Sequence, residues 1–300
     1  MTQSKIDVVG GVYHEHCIWP VWDQIFGSGG RAATALVSHV DRVTLHTYAH
    51  PDVEAEFKKA ATVYKFDLAT TAARAGISFE YVHCMSTPVI RPALARIHTH
   101  EPIEVSADAV LRFGMLEGSG KVNAKWCVYD PQSAFHPESF WDNGSQAEHL
   151  AIVANRSEIA AMAGDSNPKT AAATLLERGA EVVVVKSGPA GAYVYSAGSP
   201  EVHIPAYRSD MVWTIGSGTY LPPSSQLNGQ YIAPALLPQQ SLLRVPSRNT
   251  RKLWDCLQPQ FKNCRRLSAH QRPQLPGRYI WPARSSILDN GGLWTRRDVA

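Results

Sequence analysis

The sequence changes its character once, close to Gly218. Up to that residue, short apolar runs of strand length alternate with segments of helical composition that glycine or proline bounds. Beyond Thr219 the alternation stops, and five prolines between residues 222 and 246 interrupt any helix of useful length. A regular alternation of strands and helices is typical of an α/β domain, so only residues 1–218 follow a pattern that predicts one.

Apolar runs predict the individual strands of this domain. Residues 181–186 contain four successive valines and predict a buried strand, with residues 192–195 as its hairpin partner. Further strands are predicted at residues 6–11, 43–46, 126–129 and 150–153, and two or three more between residues 77 and 97. Helices are predicted after Gly30, from Pro51 to near Gly76, and from Pro168 to Gly179. This order predicts a doubly wound, mostly parallel sheet.

Composition supports a boundary near Gly218. Residues 219–300 contain 12 Lys and Arg, 3 Asp, no Glu and nine of the 20 prolines, whereas residues 1–218 contain 17 Lys and Arg against 23 Asp and Glu. A basic, aperiodic, proline-rich segment is expected to be disordered. We therefore predict an incomplete α/β domain at residues 1–218 and a disordered tail at residues 219–300. Nucleic-acid binding by this tail remains an alternative, although its arginines share no face.

Bulk properties narrow the class of protein. The hydrophobic fraction of 44% is ample for a packed core, and no uninterrupted apolar run approaches the ~20 residues that cross a bilayer. The first residues lead directly into a strand-like run and do not resemble a secretory signal. The five cysteines are odd in number and form no CxxC pair, which favours reduced thiols. We expect a cytoplasmic protein that does not cross a membrane.

The motif Gly216-Ser217-Gly218 has the most direct chemical meaning. Glycines before a helix start expose backbone N–H groups that can hold an anion. In a phosphate-transfer site such a loop is followed by an Asp that accepts the proton of the attacking hydroxyl. Thr219 stands at that position, and its hydroxyl is not a base near neutral pH. The sequence thus predicts an anion-binding loop without its catalytic base.

Four more motifs follow strand-like runs, and each is modest by itself. They are the start of a helix with Gly29, Gly30 and Arg31; a turn with Asp130 and Pro131; Asn155 with Glu158 three residues later; and Lys186 with Gly188 and Gly191. Each motif also has a purely structural explanation. Gly29 and Gly30 can form a tight turn before a helix, and Asp130-Pro131 is a common turn. Asn155 with Glu158 can be an N-cap, and Gly188 with Gly191 can form a glycine hairpin.

In this order the five motifs resemble those of the ribokinase family, also called pfkB-type carbohydrate kinases, over residues 6–218. The resemblance implies transfer of phosphate from ATP to a hydroxyl of a sugar or nucleoside, with Mg²⁺ as the metal. It places Gly29 and Gly30 near the sugar, where Arg31 departs from the family's usual residues. It also implies that Asn155 and Glu158 serve the Mg²⁺–phosphate site.

The same resemblance assigns Lys186, Gly188 and Gly191 to the nucleotide side of the site. The family's signature reads Asp-Thr-x-Gly-Ala-Gly-Asp, and here Trp213 and Thr219 replace its two Asp residues. We therefore expect a kinase-like chain that is inactive as encoded. A pseudokinase that still binds a sugar or nucleoside without turnover is the alternative.

Two pairs of histidines invite a metal-binding interpretation. His14 and His16 are two residues apart on a strand-like run, which places them on one face, and His98 and His100 have the same spacing. No third ligand is evident from the spacing of either pair. We therefore predict no protein-bound metal site beyond the Mg²⁺ that the family resemblance implies.

The genetic code offers one explanation for both Thr219 and the tail. If one base is lost at the boundary of codons 218 and 219, residues 219–222 can be reread as Asp-Val-Phe-Ala, which resembles how the family signature continues. The same shifted frame over residues 278–296 permits a string that begins Val-Tyr-Leu-Ala-Gly-Pro-Phe-Phe and resembles a nucleoside 2-deoxyribosyltransferase domain. We therefore hypothesise a frameshifted product of a fused parent, in which the C-terminal layers of the kinase domain are missing or non-native.

Overall fold

The computed structural model describes residues 4–133, 136–206 and Ile215. The tail at residues 219–300 lies outside the described residues. The described part contains four α-helices: α1 (Gly27–Leu36), α2 (Pro51–Tyr64), α3 (Arg156–Ala163) and α4 (Pro168–Glu177). Its strands are β1 (Lys5–Val9), β2 (His14–Trp19), β3 (Trp22–Ile25), β4 (Arg42–Ala49), β5 (Asp67–Ala72), β6 (Ser78–His83), β7 (Val89–Arg91), β8 (Ile103–Phe113), β9 (Gly120–Asp130), β10 (Gln146–Asn155), β11 (Val182–Lys186), β12 (Ala192–Ser196) and β13 (Val202–Ile204).

Nine of these strands form one sheet, which we call the large sheet. Its order is β13-β12-β11-β10-β9-β8-β1-β4-β5. All neighbours from β5 to β11 are parallel, and only β12 and β13 pair antiparallel at one edge. The α/β class and the mostly parallel sheet that the sequence predicts are therefore confirmed.

A second sheet of four strands, which we call the small sheet, has the order β3-β2-β6-β7. The chain enters it directly after β1 and again after β5, and both of these are parallel strands of the large sheet. Backbone hydrogen bonds from Phe26 to Tyr13 and from His14 to Ile77 join its entry points. The small sheet therefore lies at the carboxyl edge of the large sheet, where α/β proteins bind their ligands.

The central strands of the large sheet are buried on both faces. On one face Ile6, Val8 and Leu45 pack with α1 and with Phe57 of α2. On the other face Val9, Tyr129 and Ile152 pack with Ile159 of α3 and Leu175 of α4. Burial on both faces explains why β11 is an uninterrupted run of valines instead of an alternating one.

Strands β8 and β9 cannot be straight. They are parallel neighbours, so the connection must run from the end of β8 back to the start of β9. Only six residues connect them, and these reach about 25 Å, whereas a straight strand of the length of β8 spans about 33 Å. The ladders of β8–β9 and β9–β10 both skip one residue, at Asp108, Lys125 and Glu148. The three strands bend there together, and the connection between β8 and β9 returns to the carboxyl edge.

The structure differs from the sequence prediction after Pro51. Helix α2 ends at Tyr64, well before Gly76, because Lys65 adopts a left-handed conformation with φ of 65° and caps the helix. The Ala- and Thr-rich residues that follow form the edge strand β5 and do not continue the helix. The strands predicted at residues 126–129 and 150–153 are confirmed within the longer β9 and β10, and the strand predicted at 181–186 is confirmed as β11, which begins one residue later.

Candidate functional site

Three neighbouring parallel strands end in polar residues. Asp130 closes β9, Asn155 closes β10 and Lys186 closes β11, and Asn155 is the register partner of Lys186. The Nζ atom of Lys186 lies 2.8 Å from Oδ2 of Asp130. Together with Glu158, which follows in α3, we call these residues the strand-end cluster.

Asn155 and Glu158 are fixed by a reciprocal capping box at the start of α3. The Asn155 side chain accepts a hydrogen bond from the Glu158 backbone N–H at 2.9 Å, and the Glu158 carboxylate accepts one from the Asn155 backbone N–H at 2.7 Å. The N-capping explanation for this motif is therefore realised. Capping does not exclude a ligand, because the charges of Lys186 and Asp130 at the neighbouring strand ends also act on this carboxylate.

The charges of the strand-end cluster influence one another. Burial raises the pKa of Glu158, and the nearby ammonium of Lys186 acts in the opposite direction. Burial by itself would lower the pKa of Lys186, but the charges of Asp130 and Glu158 outweigh it and raise that pKa. The cluster therefore holds one partly exposed cation next to two buried carboxyl groups at the edge of the sheet.

One oxygen of this cluster has an unused bonding capacity. Oδ1 of Asp130 is buried and has no hydrogen-bond partner among the described residues. Carboxylate oxygens are the ligands that Mg²⁺ prefers, so Asp130 and Glu158 fit that metal by donor type. Lys186 already neutralises part of their charge, and a metal held here would share the carboxylates with it.

The glycines at the start of α1 allow it to approach β1 closely. The Gly29 backbone N–H donates to the Gly11 carbonyl at 3.1 Å, and a Cβ on Gly29 would lie 2.6 Å from the Gly10 carbonyl oxygen. A Cβ on Gly30 would lie 2.8 Å from the ring of Phe57. Both glycines are thus required for packing at the carboxyl edge, which is also where the family resemblance expects a sugar.

Arg31 is committed to a protein partner. Its guanidinium forms a bidentate ion pair with the carboxylate of Glu15 on β2, with Nη1 2.5 Å from Oε1. Both side chains are buried, and the guanidinium also lies over the ring of Phe26. The structure brings Arg31 to the small sheet and not to the strand-end cluster.

The two glycines after β11 differ in the space around them. Gly188 has a φ of +56°, and a Cβ there would meet no atom of the described chain within 4 Å. A Cβ on Gly191, in contrast, would lie 2.0 Å from the carbonyl oxygen of Ile204 on β13. Gly191 therefore closes the hairpin, while Gly188 borders open space next to Lys186.

The predicted anion loop of Gly216, Ser217 and Gly218, with Thr219, lies outside the described residues. Ile215 is described, and it is buried in a cluster with Cys17 of β2 and with Cys84.

Glu117 and Tyr13 form a buried pair that no sequence motif indicates. The Tyr13 hydroxyl, just after β1, donates to the buried Glu117 carboxylate at 2.8 Å and accepts from the Leu116 backbone N–H at 3.1 Å. Burial raises the pKa of Glu117 to about 7, and the Tyr13 hydrogen bond opposes this shift. The signal in the sequence was the short connection between two strands, which forces residues 114–119 back to the carboxyl edge.

The histidine pairs have protein partners. His14 and His16 share one exposed face of β2, as predicted, and both contact the Asp23 carboxylate on β3. His98 and His100 contact each other edge to face, and His100 also stacks on Tyr48. Within residues 4–133 and 136–206, no group of three or more His, Cys, Asp or Glu side chains is arranged to hold a metal ion.

A further observation concerns membranes. In the part of the chain that the structure describes, no helix is both long enough and apolar enough to span a bilayer.

Comparison with known proteins gives one family match. Residues 141–218 match the family described as pfkB family carbohydrate kinase. No curated protein matches the sequence.

Two kinases are among the solved structures to which the chain is similar. Fructokinase from Vibrio cholerae O395, in a form with fructose, ADP and calcium bound, is 14% identical, covers 85% of this chain and 89% of that chain, and gives a TM-score of 0.53. Ribokinase from Thermotoga maritima is 16% identical, with 72% and 82% covered and a TM-score of 0.49. The chain therefore has the fold of the ribokinase-like kinases, and its residues 141–218 match the pfkB family of carbohydrate kinases.

Proposed function

We propose that this chain derives from an ATP-dependent kinase of carbohydrates or nucleosides and that it does not transfer phosphate as encoded. The observation that carries the proposal is the strand-end cluster. Asp130, Asn155 and Lys186 end three adjacent parallel strands, and Glu158 joins them through its capping box. Charged groups at adjacent carboxyl ends of a parallel sheet are where an α/β fold performs chemistry.

The proposed roles follow the position of each residue. Asn155 and Glu158 serve the Mg²⁺–phosphate side, and Lys186, Gly188 and Gly191 border the nucleotide. Bound Mg²⁺ supplies charge neutralisation for the phosphate oxygens during transfer. Gly29 and Gly30 border the sugar or nucleoside, and the loop of Gly216, Ser217 and Gly218 holds the transferred phosphate as an anion site.

The proposed inactivity rests on Thr219. Removal of a general base typically lowers a rate by about 10²–10⁴. A single Asp-to-Thr change would leave a normal C-terminal half behind it, whereas residues 219–300 keep no strand–helix pattern. We therefore propose that this tail is translated out of frame, from a parent in which a deoxyribosyltransferase-like domain follows the kinase domain.

Three versions of the chain test this proposal against a panel of D-fructose, D-ribose, adenosine and inosine with Mg²⁺ and ATP. They are the native chain, the Thr219→Asp variant, and a chain with one G restored before codon 219. We expect phosphorylation only by the restored chain, because the other two lack the layers that follow the anion loop.

Each other outcome removes a specific part of the proposal. Turnover by the native chain overturns the inactivity. Turnover by Thr219→Asp shows that only the base was lost and overturns the frameshift. A restored chain without turnover also overturns the frameshift. Sequencing of the locus gives an independent test: the frameshift is overturned if the frame that encodes residues 219–300 is open in relatives and shows synonymous-site selection there.

A second candidate function is binding of a sugar or nucleoside without turnover. It is favoured by Gly29 and Gly30, whose close packing at the carboxyl edge does not depend on Thr219. The test is thermal stabilisation of the native chain by the same panel without ATP. Stabilisation with no turnover supports this candidate, and absence of any stabilisation contradicts it.

A further inference from the structure

Helix α1 begins without a cap of its own. Phe26 stands at the N-cap, its side chain makes no capping hydrogen bond within the described residues, and the first turn contains no acidic residue. The first N–H groups of a helix need acceptors from elsewhere. Glu15 supplies one from another sheet, because its Oε1 atom accepts from the Gly27 backbone N–H at 3.2 Å.

The same carboxylate also binds the next turn of the helix. Arg31 donates from Nη1 and Nη2 to the two oxygens of Glu15, and its Nη1 also contacts the Gly27 carbonyl at 3.3 Å. Glu15 is 4% exposed and Arg31 is 8% exposed. A charge-assisted, bidentate pair with this little exposure cannot be replaced by water if one partner is lost.

The pair connects two separate parts of the fold. Glu15 lies on the inner face of β2 in the small sheet, and Arg31 lies on α1, which packs against the large sheet through Gly29 and the Gly10–Gly11 turn. The Glu15 charge also reaches Tyr81 on the neighbouring strand β6, where burial and this charge raise the tyrosine pKa to about 12. The contact therefore involves the centre of the small sheet.

We propose that Glu15 and Arg31 are positioning residues that fix the small sheet against the glycine-bounded start of α1. Arg31 then does not touch a bound sugar or nucleoside but sets the position of the sheet next to Gly29 and Gly30. The functional meaning of that position rests on the proposed function, whereas the positioning itself does not.

Hydrogen exchange of the ligand-free full chain tests the positioning. In Glu15→Gln we expect amides of β2 and β6 to exchange about a hundredfold faster, since Arg31 keeps a buried charge without its partner. Amides of β9 and β10 should keep their native rates. The matched control is Glu80→Gln on the outer face of the small sheet, where Glu80 forms an exposed pair with Arg91, and its effect should stay below about threefold.

A second pair of variants keeps the test open if Glu15→Gln does not fold. Arg31→Lys retains the charge opposite Glu15 and should raise exchange in β2 and β6 less than tenfold, whereas Arg31→Met should reach about a hundredfold. Equal rates in these two variants would overturn the proposal, as would acceleration of both sheets together, which indicates a loss of global stability alone. If the restored chain phosphorylates no member of the panel and the panel does not stabilise the native chain, the proposed function and its alternative fail, and these exchange results remain unchanged.

Discussion

Two buried groups of charges lie at the same edge of the large sheet and are built in different ways. The strand-end cluster is assembled by residues that close successive parallel strands of one sheet, so its geometry follows from the register of Asn155 with Lys186. The Glu15–Arg31 pair is assembled by a strand of the small sheet and a helix packed on the large one. Topology alone produces the first group, whereas the second requires the two sheets to be packed correctly.

This difference has a consequence for stability. A charge in the strand-end cluster is held by backbone that many ladder hydrogen bonds support, so its loss should destabilise the whole domain. The Glu15–Arg31 pair connects the small sheet with α1, which are joined by fewer contacts, so the loss of one of its charges should act locally. The following variants test whether the loss of a buried or capping group at the carboxyl edge lowers the stability of the whole domain.

The largest effect is expected from Lys186→Met. Removal of the ammonium leaves Asp130 and Glu158 as buried carboxyls without their cation, and broken buried pairs cost about 3–5 kcal/mol. Urea unfolding measures the loss of the free energy of unfolding. Lys121→Met is the matched control, because Lys121 forms an exposed pair with Glu104 and should cost less than about 1 kcal/mol. Similar costs in both variants would contradict a structural role for the cluster.

A smaller, pH-dependent effect is expected at Glu117. The carboxyl ionises near 4.5 when unfolded and near 7 in the fold, so the folded chain binds more protons between these pH values. Stability should therefore fall as pH rises from 4.5 to 7, by about 3 kcal/mol from this group. Urea unfolding of Glu117→Gln across this range should show a flatter pH profile than the native chain.

The exposed Glu104, changed to Gln, is the control for this profile and should leave its slope unaltered. A Glu117→Gln profile parallel to the native one would show that the carboxyl is not held protonated near neutral pH.

The smallest of the three effects is expected from Asn155→Ala. Loss of an N-cap side chain costs about 1 kcal/mol. Asn167→Ala removes the equivalent cap of α4, where Asn167 accepts from the Lys169 N–H at 2.9 Å, and should cost about the same. Thermal unfolding compares the two. Both changes are then made in the restored-frame chain, where only Asn155→Ala should lower the phosphorylation rate. An equal loss of rate in both variants would show that Asn155 acts only as a helix cap.

The sequence predicted those parts of the molecule in which local pattern and tertiary environment agree. The valines of β11 and the Asn167-Pro168 start of α4 are such cases. Helix α2 was predicted too long because Lys65, and not a glycine, adopts the left-handed cap conformation, and because β5 mixes Leu and Ala, which favour helices, with Thr, which favours strands. In these segments tertiary pairing overrides local propensity.

The residues of the candidate site also differ in how far the sequence predicts them. Asp130, Asn155 and Lys186 follow apolar runs, so their meeting at one edge was predictable from the parallel sheet. Arg31 is expected near a substrate only through the family resemblance, whereas its ion pair with Glu15 was not predicted, because Glu15 is 16 residues away on a strand whose packing no local pattern reveals. Glu117 was missed because its burial depends on the common bend of β8, β9 and β10.

The most direct test of the account is transfer of γ-labelled phosphate from ATP by the full native chain, with Mg²⁺ and the panel of sugars and nucleosides. The account predicts a rate no higher than that of the Glu158→Gln variant measured in parallel. Turnover by the native chain that disappears in Glu158→Gln would contradict it, because the strand-end cluster would then serve a working kinase despite Thr219.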